Sequence, residues 1–111
     1  MTPQDQFEQL RQIYPSAEFW TEGGQPFVYL PGFRLKSGRK TVALDALLCP
    51  QRHASASYPT RLFLSDQPPH GGQNWNSFQL FGRSWRACSW DKVPDTLGWP
   101  NILASHLRAF A

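Results

Sequence analysis

Cys88 stands in the run Trp85-Arg86-Ala87-Cys88-Ser89-Trp90, a thiol framed by bulky aromatics. A cysteine thiolate attacks carbonyls well, and the thioester it forms passes its acyl group to an amine without a strong base. Arg83 and Arg86 are close in sequence and would lower the Cys88 pKa if they are also close in space. In an extended backbone Arg86 and Cys88 share one face and Trp85 points away. The competing reading is a core thiol wedged between tryptophans, because free cysteine is among the most buried residue types. Ser84 and Ser89 are fallback nucleophiles that would form an oxyester, with His70, Asp91 or Asp95 as candidate bases. The amide of Asn76 could stabilise an oxyanion during acyl transfer, or simply shape a turn.

The other reactive residue types suggest less. Cys49 precedes Pro50 at the end of an apolar run and reads as a small buried hydrophobe. Two cysteines make neither a disulfide framework nor a CxxC pair, and in a cytoplasmic setting both would be reduced. His53, His70 and His106 share no ligand spacing, so no metal is expected, and His106 reads as a packing or surface residue. The net charge of +3 is mild, and only Lys36, Arg39 and Lys40 cluster, in a glycine-containing loop. That loop is either a solvated turn or a contact for an acidic protein surface. A nucleic-acid partner would want a wider basic face.

These residues need a scaffold, and 111 residues provide one domain, 1–111, with a single core. Five tryptophans and eight phenylalanines give that core a heavy aromatic load, while ten prolines and eight glycines argue for many turns over a helix bundle. No apolar run approaches the roughly 20 residues of a membrane span, and the start lacks a signal-peptide pattern; a soluble cytoplasmic protein is expected.

Thr2 can cap a helix with Pro3 in its first turn, carrying Phe7, Leu10, Ile13 and Tyr14 on one face until Pro15 stops it. Four strands are predicted next. Ala17 to Thr21 and Pro26 to Leu30 flank the Gly23-Gly24 turn, with Pro31-Gly32 breaking the second strand before Phe33 and Leu35 resume it. Thr41 to Cys49 alternates to give one strongly apolar face, and Thr60 to Ser65 follows a polar loop carrying Arg52 and His53. Consecutive strands joined by short turns form an antiparallel meander. Beyond Pro68-Pro69 and Gly71-Gly72, the stretch Asn74 to Trp90 reads as an extended segment or small hairpin crossing one end of the sheet. Pro100 then opens a last helix with Ile102, Leu103, Leu107 and Phe110 on one face. The expected class is α+β, with an irregular segment between the four-stranded sheet and one C-terminal helix.

This order resembles the ubiquitin-conjugating (UBC) enzymes, and more narrowly their small bacterial relatives. The likeness is carried by Val28-Tyr29-Leu30-Pro31-Gly32-Phe33-Arg34-Leu35, by Tyr58-Pro59 through Pro68-Pro69, by Gly82-Arg83-Ser84-Trp85-Arg86 and by Trp99-Pro100. It covers nearly the whole chain, through order and spacing more than through any one motif. A His-Pro-Asn tripeptide typical of conventional members is missing; Pro69-His70-Gly71 is a loose echo, with Asn74 and Asn76 in the stretch where an amide could serve. The resemblance implies a minimal UBC-like fold with the nucleophile after the last strand and before the final helix, which Cys88 satisfies and Cys49 does not. It implies a carrier that accepts a ubiquitin-like modifier from an activating enzyme docking near the N-terminal helix and first loops. An isopeptidase would act in the same system, in a setting such as antiphage defence, and this chain would need no small-molecule cofactor. The same fold also serves non-catalytic UBC and RWD-like protein-binding modules.

Overall fold

The first helix is capped as Thr2 and Pro3 dictate. The Thr2 hydroxyl accepts the Asp5 N–H and the Asp5 carboxylate accepts the Thr2 N–H, both at 3.1 Å, which closes a capping box. The computed structural model describes residues 2–51, 58–90 and 92–111. Helix α1 spans Pro3–Ile13 and buries Phe7 and Leu10, and the chain leaves it at Tyr14 ahead of Pro15. Ile13, expected on the apolar face, is instead 58% exposed.

Six strands follow: β1 (Glu18–Glu22), β2 (Gln25–Ser37), β3 (Lys40–Cys49), β4 (Arg61–Leu64), β5 (Asn76–Leu80) and β6 (Arg83–Ala87). Helix α2 (Trp99–Leu107) and a 3-10 turn over Arg108–Phe110 complete the described chain. The strands form one antiparallel sheet in the order β1-β2-β3-β4-β6-β5. The α+β class therefore holds, and the four-stranded meander is corrected to six strands. The segment from Asn74 onward does not merely cross the sheet. It folds into a hairpin whose β6 pairs with β4 at Leu64 and Arg86, leaving β5 at the edge.

Local geometry explains the two surprises. Leu80 pairs with Arg83 around a two-residue turn in which Phe81 (φ 53°) and Gly82 (φ 72°) are both left-handed, the arrangement a tight hairpin favours. Pro31-Gly32 does not break β2 but lies within a register shift between Leu30 and Phe33. The freed Gly32 N–H donates to Asp45 Oδ1 at 2.9 Å, so the bulge leaves no donor stranded.

Both faces of the sheet are apolar, correcting the expectation of one apolar face on the third strand. Ala46 and Leu48 face the helix side with Val28, Leu30, Leu62 and Leu64, where Leu10, Ile102 and Leu103 pack on them. Leu47 and Cys49 belong to a second core with Phe27, Phe63, Trp85 and Ala87, to which neither helix contributes. That second core is roofed by the sheet's own rings. Trp20 on β1 lies 4.9 Å from Phe81, and Tyr29 on β2 lies 6.3 Å from Trp85 on β6. In a flat sheet β1 and β6 would stand about 19 Å apart at the usual strand spacing, so the sheet curls around its aromatic face.

Candidate functional site

Cys88 follows β6 by one residue and precedes α2, in the place expected for it. It is 8% exposed and belongs to the helix-side core with Val93 and Phe110. The loop before β5 covers it. Ser89 N–H donates to Gln73 O at 2.8 Å and Gly72 N–H to Ala109 O at 3.1 Å, which straps this loop between the thiol and the C-terminal turn. Gly72 has φ +75°, and a Cβ there would fall 2.7 Å from the Trp75 ring and 3.0 Å from Cys88 Cβ. Only glycine leaves room there for the Trp75 ring, which stacks on Phe110.

Desolvation sets the chemistry of this thiol. Burial pushes the Cys88 pKa up, opposed by backbone hydrogen bonds at Gln73 and at Cys88 itself and by the positive charge of Arg61. The cations expected to act on it are occupied elsewhere. Arg83 pairs with Asp45 at 3.2 Å and lies 4.4 Å over the Trp85 ring, while Arg86 donates to Gln67 Oε1 at 3.1 Å. Arg61 takes their place. It opposes Cys49 in the β3–β4 ladder, and its guanidinium carbon sits 4.3 Å from the Tyr58 ring and 4.6 Å from the Phe78 ring. Its Nε, like that of Arg86, is buried without a hydrogen-bond partner among the described residues. The sequence did carry a signal for it: an arginine inside an apolar strand run, one residue before Leu62, must put a charge on a strand face.

The remaining candidates separate. Ser89 is half-buried and its hydroxyl lies 3.4 Å from the Tyr58 hydroxyl, which donates to it. Ser84 is far along β6, exposed and bound to the Gln79 amide. Asn76 opposes Ala87 in the ladder, so alternation turns its side chain away from the Cys88 side, and its amide donates to Asn74 O at 3.1 Å. His70 is pinned beside the β2–β3 turn, its N–H donating to Ser37 Oγ at 2.8 Å. Asp95 is exposed in the loop before α2; Arg52, His53 and Asp91 lie outside the described residues.

Cys49 is 2% exposed; its thiol donates to Gln51 O at 3.1 Å, and burial pushes its pKa to about 11. It matches the expected small buried hydrophobe. His106 is buried at 4% exposure, its Nε2 2.8 Å from Thr60 Oγ1, which donates to Val93 O at 2.9 Å. With the only hydroxyl hydrogen directed to Val93, Nε2 must carry a hydrogen toward Thr60. Among the described residues no three His, Cys, Asp or Glu side chains converge as a metal site, and no helix is long and apolar enough to cross a membrane.

A cleft of about 460 Å³ opens beside Ser89. Trp90, Lys92, Leu97 and Arg108 line it, and the Trp90 indole N–H is tied to Ser105 O at 2.9 Å. The arrangement offers a covered thiol, a cation whose charge reaches it, and a cleft lined by the next residue, Ser89. No family model, curated protein or solved structure matches this chain.

Proposed function

We propose that this chain is a minimal ubiquitin-conjugating-enzyme-like carrier, with Cys88 as the residue that holds the modifier. The observation that supports this reading is the position of Cys88, between the last strand and α2 and next to the cleft at Ser89 and Trp90. In the proposed cycle the Cys88 thiol gives up its proton and its sulfur attacks the carbonyl of a modifier thioester on the activating enzyme. The activating enzyme's thiolate leaves, and an amine later attacks the Cys88 thioester, releasing Cys88 and forming an amide. The loop strapped over Cys88 must open for the first step, and Arg61 favours the thiolate once water enters. The Asn76 side chain is turned from the thiol side, so Asn76→Ala should leave loading and transfer unchanged. Slowed transfer with loading intact would restore it as the oxyanion's partner. The proposed setting is a bacterial conjugation system with an isopeptidase, such as one acting against phage.

The burial of Cys88 and its raised pKa favour a second reading, a non-catalytic UBC or RWD-like protein-binding module. The two are separated by incubating the protein with its cognate activating enzyme, modifier and ATP and running a non-reducing gel. A thiol-sensitive adduct supports the carrier, and none forming while the modifier is loaded on the activating enzyme supports the binding module.

A further inference from the structure

Away from the thiol, two neighbouring clefts of about 280 and 380 Å³ run between the end of α1, the bulged middle of β2 and the end of α2. They share Tyr14, Phe33 and Arg34, and the Tyr14 and Phe33 rings lie 5.4 Å apart to form a common floor. Ile13 borders the first cleft at 58% exposure, an aliphatic side chain left largely in water. Arg34 and Lys36 line the groove and are exposed, and Arg39 and Lys40 continue the positive charge around the β2–β3 turn. Among the described residues none of these four cations joins an ion pair, and the nearby acid Asp45 is already engaged by Gly32 N–H and Arg83.

We propose that this groove is a docking site for an acidic peptide segment of a partner protein, with apolar side chains over Tyr14 and Phe33 and carboxylates against Arg34 and Lys36. An apolar floor beside unpaired cations matches a ligand that alternates apolar and acidic residues, since burial supplies affinity and the charges supply register and on-rate. A nucleic acid would satisfy the cations but leave Ile13 in water, and a second copy of this basic face would repel the first. The groove is formed by different residues from the Cys88 site and does not depend on its chemistry.

Fluorescence polarisation with a labelled peptide alternating glutamate and leucine tests this directly. The peptide should bind, weaken as salt rises from about 0.05 M to about 0.5 M, and bind better than its glutamine-for-glutamate counterpart. Arg34→Glu with Lys36→Glu should lower affinity about tenfold, and Ile13→Ser about threefold, with circular dichroism spectra unchanged. Equal binding of the acidic and glutamine peptides overturns the proposal. So does wild-type affinity in the doubly reversed variant, tighter binding of a labelled oligonucleotide lost in that variant, or a dimer in sedimentation that those substitutions dissolve.

Discussion

Trp20 on β1 and Phe81 in the β5–β6 turn meet edge to face at 4.9 Å, joining opposite sides of a six-stranded sheet. Phe81 also lies 5.1 Å from Phe27, so one ring in a hairpin turn roofs a core that no helix covers. Phe81→Ala should destabilise the fold by roughly 2 kcal/mol in urea unfolding, less than a fully buried phenylalanine because Phe81 is only half-buried. In a double-mutant cycle with Trp20→Ala the coupling should be about 1 kcal/mol. Strict additivity would show that the two edges do not support one another.

Stability should also depend on His106. Its folded pKa is lowered from 6.5 to about 4, chiefly by burial and then by the charge of Arg61. Above the unfolded value both states are neutral and nothing is lost. Between about pH 6.5 and pH 4 the unfolded chain takes up a proton that the folded chain refuses, so stability falls, by about 3 kcal/mol in all. Urea midpoints across this range should drop for the wild type, and His106→Gln should flatten the drop. A variant with an unchanged slope would place the proton uptake elsewhere.

The cation acting on Cys88 can be identified by alkylation rate against pH in a Cys49→Ala background. Arg61→Gln should shift the Cys88 profile to higher pH, while Arg83→Gln and Arg86→Gln leave it in place, because those two are held by Asp45 and Gln67. The reverse pattern would restore the assignment suggested by sequence proximity.

Strand geometry, not chain distance, decides neighbours: Arg83 and Arg86 precede Cys88 closely in sequence but bind Asp45 and Gln67, while Arg61 from β4 is the cation whose charge favours the Cys88 thiolate. The helix cap at Thr2, the Gly23-Gly24 turn and the burial of Cys49 are readable in the sequence, each depending on a local residue pattern with one physical outcome. A small hairpin over Asn74 to Trp90 is one of two readings the sequence allows, but its joining the sheet at β4 is not legible. Its left-handed turn is Phe81-Gly82 where Asn-Gly would mark the register, and the pairing of Arg86 with Leu64 is long-range. Pro31-Gly32 looked like a strand break because the Asp45 carboxylate that satisfies the bulge lies on another strand. Asn76 sits in the expected stretch, and only the register with Ala87 shows which way it faces.

The loop that Trp75 anchors by stacking on Phe110 should limit access to the thiol. In the wild type at neutral pH, Cys88 should react with iodoacetamide slowly, and Cys49 more slowly still, given its pKa of about 11 and its bond to Gln51. Trp75→Ala should speed alkylation of Cys88 about tenfold and leave Cys49 unchanged. Equal acceleration at both sites, read by peptide mass spectrometry, would indicate general loosening of the fold instead.

The carrier reading is tested most directly by intact-mass measurement of the modifier adduct after incubation with the cognate activating enzyme, modifier and ATP. The wild type and Cys49→Ala should each gain one modifier through a thiol-sensitive bond. Cys88→Ala should gain none, and Cys88→Ser should gain one that resists thiol and yields to hydroxide. A thiol-sensitive adduct on Cys88→Ala, or no adduct on the wild type beside a loaded activating enzyme, would contradict Cys88 as the residue that carries the modifier.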